Sequence, residues 1–474
     1  MNPKGSTLMA GIEPIIARAL AIELDRVTDD LHYQSISEWS SLGHVALMVE
    51  LERHLGVTIE EDTFLELRSV PAIREFAHAG RPGDRSTTAE SAAPPANAGS
   101  SVTVHRGLEN VYFDRSTITR IDGEEGALEY RGYSIHDLAE HAPFEETAWL
   151  LMHSELPDPG QLQEFRDQLH SDSELPRSVI ELLHSMAGAH PMEALRTAVS
   201  ALGATYPTGR DESYEDASRA AVRLIAQIPV LIAAHHAFRT GRELPIPAPD
   251  ASHATRFLHL LRGEQPSPTE SRFVDTELVV HADHGSNASA FAARVAKSCG
   301  ATMHAAVTAA IATFSGPLHG GAAERVTDLV DAVGHPDNAR AYVRDRFARN
   351  LPVMGFGHRV YRTEDPRVRH LRAMAAELGR QRGDSRGYDI VLAVVEAMKP
   401  YARHGIEPNV DLYAGLVYRS LGLPDDLAVP MFVTGRIAGW AAQALEQQRN
   451  NVLIRPLLDY VGPSGRRYLP GRAA

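Results

Sequence analysis

Three short segments carry side chains able to move protons: Gly316-Pro317-Leu318-His319-Gly320-Gly321, Gly355-Phe356-Gly357-His358-Arg359-Val360-Tyr361 and Pro408-Asn409-Val410-Asp411-Leu412-Tyr413-Ala414-Gly415. Each follows an apolar, helix-compatible run and sets a histidine or an aspartate near glycines, which allow backbone and ligand to approach closely. Two histidines that can donate hydrogen bonds and an aspartate that can act as a base suit acid–base chemistry for making a carbon–carbon bond. A fourth segment, His281-Ala282-Asp283-His284-Gly285-Ser286-Asn287-Ala288-Ser289, adds a dense polar cluster ahead of another helical run. His281 and His284 have a spacing that can hold a metal, but no His-Glu-x-x-His arrangement and no second cysteine supports one, so no metal is expected. No Gly-x-Ser-x-Gly elbow occurs, and Val360 stands where a dinucleotide fingerprint starting at Gly355 needs glycine. Arg359, Arg362, Arg367, Arg436 and Arg455 supply guanidinium forks that match carboxylates and phosphates.

The elements that must position these groups are mostly helical. Runs at Phe144 to His153, Val179 to Met186, Ala217 to Phe238, Ala288 to Ala296, Met303 to Phe314, Ile390 to Tyr401 and Leu427 to Glu446 have helical character. Before them, Thr117 to Tyr133 reads as a hairpin around the Asp122-Gly123 turn. Residues 81–103, rich in Pro, Ala, Ser, Thr and Gly, read as a flexible linker, because they cannot repay ordering entropy by burial. It divides a helical bundle at 1–80 from a body at 104–474, and the fold class is all-α.

Bulk composition narrows the function. The 474 residues are 43% hydrophobic and 23% charged, as expected of a globular multi-domain chain. The apolar stretch near Ile228 to Ala234 reads as too short to span a bilayer, and with no signal pattern a cytoplasmic protein is expected. Residues 1–80 carry 6 Lys+Arg against 13 Asp+Glu, about half of the net charge of −14, which disfavours nucleic acid as a partner for this end. The one cysteine, Cys299, is expected to be a buried small hydrophobe.

Taken in order, His284, His319, His358, Asp411, Arg436 and Arg455 resemble the citrate synthase family. So do Ile121-Asp122-Gly123, Tyr130-Arg131-Gly132-Tyr133, Arg196 to Gly203 and Asn409-Val410-Asp411. The resemblance covers about 104–474. It implies a large helical domain and a smaller closing domain at about 320–415. It also implies a Claisen-type condensation of an acyl thioester with oxaloacetate or a related α-keto acid, followed by thioester hydrolysis to citrate or an alkylcitrate. In that comparison Asp411 is the base, His319 is a neutral imidazole at the enol oxygen, and His358 polarises the acceptor ketone. Burial and a helix N-terminus would favour the neutral His319. His284, Arg367, Arg436 and Arg455 would hold acceptor carboxylates, with Arg455 reaching across a homodimer. Pro352 to Gly357 and Arg362 would contact coenzyme A. Ala414 and Gly435 stand where the family usually has serine. The other readings are a 2-methylcitrate synthase using propionyl-CoA and a catalytically silent docking scaffold.

Ile36 to Leu47 is similar to the start of helix two in an acyl carrier protein, where a serine carries 4'-phosphopantetheine. Ser41 and Leu42 match, and Ser40 replaces the usual aspartate. The resemblance implies modification of Ser41 by a phosphopantetheinyl transferase and delivery of a carrier-bound acyl group to the adjacent synthase, with biosynthetic enzymes as further partners.

Overall fold

The computed structural model describes residues 11–36, 38–39, 41–59, 61–79, 104–108, 111–206, 211–248, 250–322, 324–349, 351–402 and 406–466. The expected linker at 81–103, like Ser40, lies outside the described residues. The N-terminal unit has its own apolar core, in which Ile16, Leu20, Trp39, Leu47, Met48, Leu51, Val70 and Ile73 are buried. Its helices are Glu13–Leu20, Ser41–Leu55, Glu61–Glu66 and Val70–Ala79. The first is shorter than the apolar spacing from Ile12 to Leu24 implies. It stops where Ala21 turns left-handed (φ 53°) and its amide bonds back to the carbonyls of Ala17 and Arg18. Pro71 falls in the first turn of Val70–Ala79, where a missing amide donor costs little.

The body opens with the expected hairpin, Thr119–Asp122 paired antiparallel with Ala127–Tyr130. The Asp122 carboxylate accepts the amides of Glu124 (3.1 Å) and Glu125 (3.0 Å), which closes the turn. A two-residue strand, Tyr133–Ser134, extends the sheet; it is too short to leave a periodic signal. Helices follow, and the expected runs at Phe144–His153 and Met303–Phe314 have those bounds. Tyr214–Arg239 continues through Pro229 for 26 residues. By length and composition this helix could cross a membrane, which corrects the sequence reading, but 78% of its most apolar window is buried inside the protein, as in a core helix. Cys299 also departs from expectation: it is exposed and ends the helix Ala288–Ser298.

Close helix packing sets up the site. Ala428–Arg449 crosses Pro268–His281 so closely that a Cβ on Gly435 would lie 2.6 Å from the Leu278 carbonyl oxygen. One on Gly439 would lie 2.2 Å from that of Ala282. Glycine, and not the serine that the resemblance suggests at 435, is what this backbone approach admits. Elsewhere, Val368–Arg382 packs on Asp411–Ser420, and Ala339–Ala348 packs on Arg386–Ala402.

Candidate active site

The loop after Pro268–His281 is held from below by Asp283. Its buried carboxylate accepts the Thr119 hydroxyl (2.5 Å), the Gly285 amide (2.9 Å) and the Gln443 side chain (3.1 Å). Tyr130, also buried, donates to the Asp283 carbonyl at 2.9 Å. This frame places His284, whose Nε2 lies 3.1 Å from the Tyr361 hydroxyl. His281 is fully buried, with Nδ1 2.6 Å from Glu277 Oε1, and Tyr418 donates to the same oxygen.

Asn287 caps the next helix by accepting the Ala290 amide at 3.1 Å. That cap brings the helix N-terminus to His319, which sits in the turn after Met303–Phe314. The Ser289 backbone amide lies 3.3 Å from His319 Nε2 and the Ser289 hydroxyl 2.9 Å, with Asn287 Oδ1 3.2 Å away. Asn287 Oδ1 already accepts the Ser289 hydroxyl at 2.7 Å and the Ala290 amide, and the Ser289 amide can only donate, so Nε2 accepts and the ring proton sits on Nδ1. The Ser289 hydroxyl is held in turn by the Trp440 indole N–H at 3.0 Å. Burial, then the charge of Arg436, pushes His319 down to about 4, so the ring is neutral at physiological pH.

His358 is the mirror case. Its Nδ1 accepts two backbone amides, Val360 at 3.0 Å and Tyr361 at 3.1 Å, so its proton sits on Nε2. Burial is the main cause that takes it down to about 4, with Arg367 lowering it further against the pull of Asp365. The loop bearing His358 is zipped to the segment bearing Asp411. Gly357 donates to the Glu407 carbonyl (2.8 Å), the Asn409 amide to Gly355 (2.9 Å), and the Asn409 side chain to Gly357 (2.9 Å). Gly355 is left-handed (φ 82°), and a Cβ there would strike Leu412 at 2.7 Å. Asp411 opens the helix Asp411–Ser420, and no described residue donates a hydrogen bond to its carboxylate. Burial pushes Asp411 up to about 6, against the opposing charges of Arg367 and Arg436.

Two guanidiniums lie inside the same site. Arg436 is buried, donates Nε to the His281 carbonyl at 2.6 Å and rests on the Phe432 ring. Burial lowers it to about 10, with Arg367 lowering it further. Its charge acts on His284, His319 and Asp411, so these groups converge around it. Arg367 is also buried but already engaged: Asp365 takes Nε (2.9 Å) and Nη2 (2.6 Å) in a bidentate pair. Burial opposes the charge on Arg367, and Asp365 raises its pKa above the usual range. Nη1 of Arg367 and both terminal nitrogens of Arg436 donate to no group among the described residues, and none of the three is fully enclosed. Guanidinium nitrogens left free to donate on buried side chains suit an anion.

Sequence reasoning missed Tyr361, Asp365, Ser289 and Asn287 as parts of the site. Only Asn287 carries a local signal, an Asn ahead of an apolar helix. The structure does not bring the other two expected residues to this place. Arg362 is exposed, and its backbone amide bonds to the Gly123 carbonyl at 3.0 Å. Arg455 is exposed on the extended tail after Ala428–Arg449 and lines a separate groove with Phe113, Arg131 and Glu446.

A base with a raised pKa, two neutral histidines presenting opposite nitrogens as donors, and buried guanidiniums make a site for abstracting a carbon-bound proton beside an anionic acceptor. Residues 107–457 match the family model described as citrate synthase, C-terminal domain. The chain belongs to the citrate synthase family. It is 40% identical over 371 residues to citrate synthase 2 of Bacillus subtilis, covering 78% of this chain and 99% of that protein. It is 37% identical over 373 residues to 2-methylcitrate synthase 2 of Corynebacterium glutamicum, covering 77% and 97%. Among solved structures, citrate synthase from Pyrobaculum aerophilum aligns with a TM-score of 0.73 at 34% identity, covering 80% of this chain and 99% of that one. Citrate synthase from Thermoplasma acidophilum, in a ternary complex with carboxymethyl coenzyme A and oxaloacetate, aligns with a TM-score of 0.74 at 30% identity, covering 78% and 98%. The chain is thus a condensing acyltransferase of the citrate synthase type. Residues 10–77 match a second family model, described as phosphopantetheine attachment site.

Proposed function

We propose that the body condenses a short acyl-CoA, acetyl or propionyl, with oxaloacetate and then releases citrate or 2-methylcitrate. The observation that carries this reading is the pair of neutral histidines with opposite tautomers around one elevated carboxylate. Asp411 removes the α-proton of the thioester, while His319 Nδ1–H donates to the carbonyl oxygen as it gains enolate character. His358 Nε2–H donates to the acceptor ketone, whose oxygen takes up charge as the carbon–carbon bond forms. Both donors are fixed by backbone amides before substrate arrives, so little reorganisation is needed at the moment of reaction. The free nitrogens of Arg436 and Arg367 hold the acceptor carboxylates beside His284. Water then cleaves the new thioester, releasing the carboxylic acid and CoA. Arg455 completes the site from the partner subunit of a homodimer, which fits its place on an exposed tail away from the site of its own chain.

The N-terminal unit is read as a carrier with Ser41 as the attachment residue. Ser41 opens the helix Ser41–Leu55. The turn before it is pinned by buried Trp39, whose indole donates to His44 Nδ1 at 3.1 Å. Gly43 lets that turn close, since a Cβ there would lie 2.1 Å from the Glu38 carbonyl oxygen. A serine that opens a helix suits a phosphopantetheine arm, which when bound supplies a thiol that carries an acyl group as a thioester. Tethering would present this donor to the body at high effective concentration. Two experiments test the reading. Oxaloacetate is supplied with acetyl- or propionyl-CoA and products are identified by mass; the account expects citrate or 2-methylcitrate, and no product from either donor overturns it. Exposure to a broad-specificity phosphopantetheinyl transferase should add one phosphopantetheine to the chain and none to Ser41→Ala; an unmodified wild type overturns the carrier assignment.

A further inference from the structure

Tyr361 touches both halves of the acceptor site. Its backbone amide is one of the two donors that fix His358 Nδ1 as an acceptor, at 3.1 Å. Its hydroxyl lies 3.1 Å from His284 Nε2, and the two rings meet edge to face at 5.4 Å. The tyrosine ring lies 4.6 Å from the His358 ring, and the two histidine rings are 5.1 Å apart. The residue is wholly buried, and burial raises its hydroxyl far above the usual tyrosine range, so it stays protonated and able to donate. His284 is buried too, and burial, followed by the charge of Arg367, keeps it neutral. No other described side chain hydrogen-bonds to that imidazole.

We propose that Tyr361 is a positioning residue for the keto-acid acceptor, holding His284 in one orientation through its hydroxyl while its amide sets the donor nitrogen of His358. The inference rests on the acceptor site described above. A buried ring held by one side-chain hydrogen bond, beside the His358 ring and within reach of the charges of Arg367 and Arg436, loses that orientation when the bond is removed, because a neutral imidazole has two nearly equivalent flips. The amide half of the contact depends on the backbone alone, so substituting the side chain separates the two functions. The predicted defect is confined to the acceptor, since the groups facing the donor, Asp411 and His319, do not touch Tyr361.

The test uses the full chain and the conservative variant Tyr361→Phe. Loss of one hydrogen bond to a buried group weakens oxaloacetate binding about three- to tenfold, read by titration calorimetry without any turnover. In steady state the KM for oxaloacetate rises by a similar factor, more than kcat falls, and the KM for acyl-CoA stays near its wild-type value. A second arm is the cycle with His284→Asn. If Tyr361 acts through His284, adding Tyr361→Phe to that variant has little further effect on oxaloacetate affinity. Wild-type oxaloacetate affinity in Tyr361→Phe overturns the proposal, as does a fully additive double variant or an equal loss of donor affinity. A wild type that binds oxaloacetate but forms no product with any donor overturns the proposed function and leaves this inference standing.

Discussion

Asp411→Asn is expected to abolish condensation and at the same time stabilise the fold. Asp411 moves from 3.8 to about 6 on folding, chiefly through burial. The folded protein therefore binds that proton more tightly than the unfolded chain does. Below pH 3.8 the group has no effect on stability; between 3.8 and about 6 stability falls as pH rises, and above that the penalty is constant. Such a shift corresponds to about 3 kcal/mol at neutral pH, an upper bound because the carboxylate is half-buried and partly screened by water. Asn keeps the shape and removes the charge, so it should recover up to that amount. Urea unfolding of wild type and Asp411→Asn at one protein concentration, from pH 4 to 8, measures the difference. The gap should be small at pH 4, grow through about pH 6 and then level off. An Asn variant less stable than wild type at pH 7, or a gap independent of pH, would show that the charged base is not held at a cost to the fold.

Other consequences follow from the same geometry. Replacing His319 or His358 with alanine removes one preorganised donor and should lower kcat about 10²–10³-fold, with the mass by light scattering unchanged from wild type; losses under tenfold would remove that residue from its role. The kcat profile should rise with pH through about 6 as Asp411 ionises and stay flat to pH 8. Because His319 and His358 titrate near 4, neither contributes an inflection near 6.5. Mixing inactive Arg455→Ala with inactive Asp411→Asn under subunit exchange should restore part of the activity, since one hybrid site is then complete. No recovery in verified heterodimers would place Arg455 outside the partner's site.

The titratable residues were legible because each stands alone in a glycine-rich break, and their types name the chemistry. Their states were not. Which nitrogen of His319 carries the proton depends on the Ser289 amide, 30 positions away, brought there by the Asn287 cap. For His358 the deciding amides are only two and three residues on, but they act through a loop whose shape comes from its pairing with 407–409. Arg367 read as a free fork for substrate, and the structure gives two of its nitrogens to Asp365, a neighbour whose orientation no periodicity encodes. The same limit explains the missed bond between Tyr361 and His284, which joins segments 77 residues apart. Helices with a single apolar face were read to within a few residues. Tyr214–Arg239 is buried nearly all round, so the window from Ile228 to Ala234 understated its apolar length.

The proposed role of Asp411 is to take one proton from the acyl carbon while that carbon becomes bonded to the acceptor. Incubating the full chain with oxaloacetate and acetyl-CoA bearing a trideuterated methyl group, then weighing the products, reads that step. Citrate that retains two deuterium atoms is expected from wild type, and no citrate from Asp411→Asn. Trideuterated acetate as the sole product, or dideuterated citrate from Asp411→Asn at the wild-type rate, would remove Asp411 from that role.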